Sequence, residues 1–217
     1  MPKWESRHGW MWFKELTVND GLSGSFTIAY SFTDGEIDEW TRRIRKFKDE
    51  KMLAVERVIN LMSNVIPHLV QELGLDARNT AIIPGLSSNE KNASPNGVLW
   101  RISEISAKAA SIKFVPDAIC KDAHESLHKK TTNLMQRKNT IKEANYRSEI
   151  IELENILILD DLITSGTTMS YVARAIRASN EKIKNVYAIA LGKNEKRSIC
   201  PEGISNSHVP PEYEIYW

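Results

Sequence analysis

Residues 154–176 read ENILILDDLITSGTTMSYVARAI. Ile156-Leu157-Ile158-Leu159 is apolar with no polar alternation, the pattern of a strand buried on both faces. Two carboxylates, Asp160 and Asp161, come next, then Leu162 and Ile163. Thr164-Ser165-Gly166-Thr167-Thr168 follows. Beyond it Met169, Val172, Ala173 and Ile176 recur at the spacing of one apolar helix face. The stretch predicts a core strand, a hydroxyl-rich loop and a helix.

The chemistry of such a loop is specific. Gly166 lets the backbone turn and approach a ligand closely. Free N–H groups at a helix start, joined by the hydroxyls of Thr164, Ser165, Thr167 and Thr168, form a nest for a phosphate. The carboxylates just ahead would repel a phosphate set on top of them. They suit vicinal hydroxyls, with a metal ion nearby. Diol at the acidic end and phosphate at the hydroxyl end describe a sugar phosphate. A plain capped helix would use one Thr or Ser and no paired Asp.

DDLITSGTT resembles the phosphoribosyl-pyrophosphate (PRPP) motif of type I phosphoribosyltransferases. The resemblance implies that Asp160 and Asp161 meet the ribose 2- and 3-hydroxyls. Thr164, Ser165, Gly166, Thr167 and Thr168 would hold the 5-phosphate. It also implies the α/β type I phosphoribosyltransferase fold, a twisted, mainly parallel sheet flanked by helices, with an N-terminal hairpin and helices. The expected organisation is an N-terminal part over 1–76, a core over 77–193 and a tail over 194–217.

Composition is compatible with that. A chain of 217 residues suffices for one α/β domain with an appendage. Hydrophobic content of 41% and charged content of 26% are ordinary for a soluble globular protein, and a net charge of +1 exerts no overall pull on nucleic acid. Cys120 and Cys200 are too few for a disulfide framework or a four-cysteine zinc site, and read as reduced thiols. No apolar run approaches membrane-spanning length, and the opening MPKWESRHGW lacks a signal-peptide core. The expectation is a cytoplasmic protein with no membrane partner.

Along the chain, Trp10–Phe13 and Ser25–Tyr30 read as a hairpin around Asn19-Asp20-Gly21. Its aromatics are packing groups or, as the alternative, a base-stacking surface. Ile37, Trp40, Ile44 and Phe47 space as a helix face, with Arg42, Arg43, Arg45, Lys46 and Lys48 on the other side. That basic face is either a solvated surface, the favoured reading, or a nucleic-acid contact. A second helix runs from Met52 towards Leu73, with Pro67 expected to kink or end it and Gly74 to stop it. Thr80–Pro84 is a short strand, and Asn96-Gly97 leads into a helix with Leu99, Ile102, Ile105 and Ala109 as its buried stripe. Lys113–Cys120 reads as an edge or irregular strand because of Pro116. Residues 121–147 hold seven Lys or Arg against three Asp or Glu with weak periodicity, which reads as a mobile excursion. Asn185–Leu191 is the last core strand, closed by Gly192-Lys193-Asn194. The tail is coil, with Tyr213, Tyr216 and Trp217 as docking groups.

By order, the family resemblance makes Gly85, Leu86, Ser87, Ser88 and Asn89 the pyrophosphate loop, with Lys91 near it. It makes 121–147 a hood that closes over PRPP. Lys129, Lys130, Arg137 and Lys138 would then reach the pyrophosphate, and Lys129 and Lys130 join Asp160 and Asp161 as the catalytic set. Magnesium is the implied cofactor, held indirectly by Asp160 and Asp161 through ribose hydroxyls or water. The order of elements is most similar to the ComF-like branch, without its zinc finger. Where that branch carries Arg-Gly-Phe-Asn-Gln, this chain has Ser94-Pro95-Asn96-Gly97-Val98. Thr164 stands where the 6-oxopurine branch carries a third Asp, which argues against hypoxanthine–guanine specificity. The implied activity is phosphoribosyl transfer from PRPP to a small nitrogen base. The alternatives are a non-catalytic PRPP- or nucleotide-binding regulator and a ComF-like accessory protein of DNA handling. A homodimer is left open.

Overall fold

The apolar run at 156–159 lies inside a seven-stranded sheet. The computed structural model of the chain describes residues 4–7, 9–13, 21–49, 51–87, 89–122, 144–200 and 204–217. Its strands are β1 (Trp4–Arg7), β2 (Trp10–Phe13), β3 (Gly24–Phe32), β4 (Thr80–Pro84), β5 (Lys113–Phe114), β6 (Ile119–Cys120), β7 (Arg147–Ser148), β8 (Asn155–Ile163) and β9 (Asn185–Glu195). The helices are α1 (Glu39–Lys48), α2 (Met52–Glu72), α3 (Val98–Ala109), α4 (Thr167–Ser179) and α5 (Pro211–Tyr216). The order across the main sheet is β1-β2-β3-β9-β8-β4-β5. Strands β3, β9, β8, β4 and β5 pair in parallel, and β1 and β2 are antiparallel additions at one edge. The protein is an α/β fold with a mostly parallel sheet flanked by helices.

Burial on both faces explains the unbroken apolar strands. Leu157 and Leu159 face the side covered by α1, α2 and α3, and Ile156 and Ile158 face the side covered by α4. Met169, Val172, Ala173 and Ile176 of α4 are all buried there, as their spacing predicts. The hairpin aromatics are packing groups: Trp10, Met11 and Phe13 are buried, and Trp12 stacks on Phe26. β3 pairs with β9, so the N-terminal strands belong to the main sheet. Among the described residues no helix is long and apolar enough to cross a membrane, and both cysteines are free thiols.

Several expectations are corrected. Pro67 does not end the second helix, which runs from Met52 to Glu72. Buried Met62, Val65, Ile66, Leu69 and Val70 flank the proline, and their packing outweighs a local penalty of roughly 3 kcal/mol. The α3 stripe centres on Ile102, Ser103, Ser106 and Ala107, leaving Ala109 exposed. Lys113–Cys120 is an irregular edge segment, as Pro116 predicts, and the break is complete: Pro116 opens a 3₁₀ turn that separates the edge strand β5 from β6, which pairs with β7 in a small second sheet. β8 runs past Leu159 to Ile163, and β9 past Leu191 to Glu195, because each keeps a parallel neighbour over that length. The tail carries α5 rather than coil, and Trp217 packs edge-on against Trp40.

The basic side of α1 is largely occupied from within. Asp38 caps the helix through the Thr41 amide at 2.8 Å. Arg42 pairs with Glu39, and Arg43 with Glu39 and Glu214 over the rings of Trp40 and Trp217. Arg45 donates to the Phe32 carbonyl at 2.9 Å, and Lys48 meets Asp161 at 3.1 Å. On the inner side Ile44 is fully buried, its Cδ1 2.8 Å from where a Cβ on Gly192 would stand. We expect Ile44→Ala to lower unfolding stability by about 2–5 kcal/mol, read from urea denaturation. A loss below ~1 kcal/mol would show that α1 does not share the core.

Candidate functional site

Chain direction across the sheet reverses between β4 and β8. From β4 the chain crosses through α3 to β5 on one side, and from β8 through α4 to β9 on the other. In open α/β sheets the crevice at such a reversal, outside the carboxyl ends of the strands, is where ligands bind. Pro84 pairs with Leu159, so the loops after the two strands start side by side. The Gly85 amide then donates to the Leu159 carbonyl at 2.6 Å. A Cβ at Gly85 would lie 3.0 Å from that carbonyl oxygen and 3.2 Å from Asp160 Oδ1, so the position accepts only glycine without a shift of backbone.

Asp160 and Asp161 lie on β8 just past its pairing with β4 and ahead of Leu162 and Ile163. Alternation sends them to opposite sides. Asp160 follows Ile158 towards Tyr146, whose phenol is raised first by burial and further by the Asp160 charge. Asp161 follows Leu159 onto the α1 side, where Lys48 holds it. At this row the side-chain alternation breaks while the strand register is kept. The pairings of β8 with β9 and of β3 with β9 are both interrupted at Leu191, and Ile28 and Ala29 both join the core on the α1 side. Leu162 packs against that core and Ile163 against the α4 side. Burial pushes the Asp160 carboxyl well above the usual carboxylate range. The charge of Asp161 adds to the rise, while the Asp161 amide and Lys48 oppose it.

The hydroxyl loop follows directly. Gly166 adopts the left-handed conformation, φ 73°, and precedes the first residue of α4. Among the described residues no side chain caps this helix; its first backbone bond, from the Ser170 amide to the Gly166 carbonyl, is 2.9 Å. The amides of Thr167, Thr168 and Met169 therefore end the helix without intrahelical acceptors. Thr164 and Ser165 are exposed, Ser165 and Thr167 share a hydrogen bond of 2.8 Å between hydroxyls, and Asn194 donates to the Thr164 hydroxyl at 3.3 Å. This arrangement can accept an oxyanion on backbone amides and hydroxyls.

A cleft of about 210 Å³ opens beside Asp161. Phe47 and Lys48 form one wall, Gly85, Ser87 and Glu90 another, and Ser94 with Gly97–Trp100 the third. The hydroxyl loop is not part of its lining. Within the loop assigned to pyrophosphate, Gly85 is buried, Leu86 half-buried and Ser87 and Asn89 exposed, while Ser88 lies outside the described residues. Lys129, Lys130, Arg137 and Lys138 also lie outside them. The base of that excursion is described: the Asp122 amide donates to the Ala144 carbonyl at 2.7 Å, and Arg147 pairs with Asp122 at 3.2 Å.

Sequence reasoning placed Lys48 on a surface face, assigned Glu90 no role and passed over Tyr146. Their sequence neighbourhoods hold no signal for these contacts, since each partner is distant along the chain or set by a turn. Among the described residues no group of three or more His, Cys, Asp or Glu side chains is placed to hold a metal.

The raised Asp160 carboxyl has a thermodynamic consequence. Above the ordinary carboxylate range the unfolded chain has released this proton and the folded chain still holds it. Stability contributed at this site therefore falls as pH rises from about 4 towards the folded-state value. Asp160→Asn keeps an oxygen for the Asp161 amide and removes that dependence. We expect the variant to melt at higher temperature than the parent at pH 7–8, with the gain disappearing near pH 4, measured by calorimetry across pH. A gain that is constant with pH, or a loss at pH 8, would contradict it. Comparison with protein-family models and with curated proteins finds no match to this chain.

Proposed function

We propose that the protein binds magnesium-PRPP at the junction of β4 and β8 and transfers its 5-phosphoribosyl group to a small nitrogen base. One observation carries this reading. An uncapped helix behind the left-handed Gly166 hinge follows, on one strand, a carboxylate pair at the carboxyl edge of the sheet. The 5-phosphate would take the amides of Thr167–Met169 and the hydroxyls of Thr164, Ser165, Thr167 and Thr168. The ribose diol would lie over the end of β8 at Asp160 and Asp161. The type I phosphoribosyltransferase fold is the finer form of the same proposal, supported by the sheet order and the adjoining loops.

In the reaction the bond from the anomeric carbon to pyrophosphate breaks, a bond to the base nitrogen forms, and that nitrogen loses its proton. Positive charge develops on the ribose ring as the leaving group departs. Ionised Asp160 and Asp161 would stabilise that charge more in the transition state than in the ground state, which is the condition for catalysis. Bringing a cation beside Asp160 also reverses the unfavourable burial of its charge. Two carboxylates on opposite sides of a strand are too few for a protein-built magnesium cage. Asp160 and Asp161 would hold an ion only indirectly, through groups of the substrate. Such an ion supplies neutralisation of the leaving pyrophosphate.

A specific contact favours the non-catalytic binder as the second reading. The Glu90 carboxylate accepts from the Ser87 amide at 2.8 Å, inside the loop assigned to pyrophosphate. An acid there opposes a departing polyanion. DNA handling has less support, because most cationic side chains of α1 have internal partners.

The deciding experiment is pyrophosphate release from PRPP with magnesium across a panel of nucleobases. Release with at least one base supports transfer. PRPP binding without release for any base replaces transfer by the binder reading. Gly166→Val forces a β-branched residue into the left-handed region, and we expect it to abolish PRPP binding in calorimetry. Undiminished binding by folded Gly166→Val would remove the phosphate assignment. Asp160→Asn with Asp161→Asn should cost turnover on the order of two to three log units, and PRPP affinity less.

A further inference from the structure

The loop after β4 contains an acid whose place is not explained by transfer chemistry. The Glu90 carboxylate reaches back to the Ser87 amide at 2.8 Å, and the Glu90 amide donates to the Ser87 carbonyl at 3.2 Å. Its other oxygen lies 3.6 Å from where a Cβ on Gly97 would stand, at the uncapped start of α3. Glu90 thus lies in the cleft beside Asp161, between a loop amide and a helix entry. Burial of Lys121 behind the loop lowers its ammonium below the usual lysine range, and the Glu90 charge opposes that fall. The backbone brings the two segments together, the Lys121 amide donating to the Lys91 carbonyl at 2.9 Å.

We propose that Glu90 is a built-in competitor for the anion subsite of this cleft. A pyrophosphate group gains the Ser87 amide and the α3 entry only when the Glu90 carboxylate swings out. This rests on the PRPP reading for the identity of the anion, though not for the competition itself. The physical argument is simple substitution. The carboxylate supplies the negative charge that the amide, the helix entry and Lys121 favour, so the site is satisfied without ligand. An incoming polyanion must displace it and then stand near it, a like-charge juxtaposition that lowers affinity. Glu90 would therefore keep affinity for a polyanion at this subsite low until its carboxylate swings out. The purely local alternative is a turn brace, in which a Glu closes back on the amide of a Ser three residues earlier.

Inorganic pyrophosphate, with magnesium, separates the two. Calorimetric titration would compare the full-length parent with Glu90→Gln and Glu90→Ala, each first checked by thermal melting. Glu90→Gln keeps an acceptor for the Ser87 amide and removes the charge. We expect both variants to bind pyrophosphate on the order of tenfold more tightly than the parent, with Glu90→Gln retaining the parent's melting temperature. Equal or weaker pyrophosphate binding by folded Glu90→Gln overturns the proposal, as does no binding by any of the three proteins. Ribose 5-phosphate, which lacks the pyrophosphate group, is the second probe. It should bind parent and Glu90→Gln alike. A tenfold gain for ribose 5-phosphate as well would overturn a subsite-specific role. Should neither PRPP nor ribose 5-phosphate bind while the pyrophosphate gain holds, the competition stands and the PRPP reading fails.

Discussion

The Gly85 amide donating to the Leu159 carbonyl is the contact on which the site depends. It extends the parallel pairing of β4 and β8 one step beyond Pro84, where the strands would otherwise part. Two loops separated by some seventy residues of chain leave the sheet from the same point as a result. The closeness of that approach excludes a side chain at 85, because Asp160 and the Leu159 carbonyl already fill the space. Everything proposed for the cleft follows from this juxtaposition. Helices α1 and α3 supply its walls, while the order of the strands decides where it opens.

Charge at this edge is arranged unevenly. Asp161 is paired with Lys48, at the C-terminal end of α1, where a cation also suits the helix dipole. Asp160 is pressed among buried groups with a like charge one residue away, and its carboxyl holds its proton more tightly than usual. A stable fold gains nothing from that placement. Its value would lie in a bound state that brings positive charge to the carboxylate. Local features that cost stability are expected where a structure meets a ligand. The hydroxyl loop is similar, since an uncapped helix start behind a left-handed glycine leaves amides for solvent or an anion.

The basic composition of α1 illustrates why counting charges is a poor guide to partners. Arg42, Arg43, Arg45 and Lys48 crowd one stretch of sequence, yet each has a carboxylate or carbonyl within the same chain. Arg43 in addition ties α1 to the C-terminal α5 through Glu214 and the Trp40–Trp217 contact. These residues act as fasteners between layers more than as a surface field.

The sequence by itself determined the elements whose signals are local. The double-sided apolar run gave β8 its place in the core, the 3.6-residue spacing after Thr168 announced α4, and Gly166 marked the turn between them. The acidic pair and hydroxyl loop were legible for the same reason: all their parts are contiguous. Tertiary structure alone decided the rest. Pro67 was tolerated because packing on both sides of it exceeded a backbone penalty that sequence rules weigh in isolation. β8 and β9 outran their apolar runs because parallel neighbours continued to pair with them through Asp160, Leu162, Gly192 and Lys193. The row at Leu191 where alternation slips, which turns Leu162 towards α1, depends on pairings among three strands distant in sequence. Lys48 against Asp161 and Tyr146 beside Asp160 are likewise contacts between remote segments. Periodicity reports which face of an element is buried, whereas only the assembled sheet decides which charges meet at its edge.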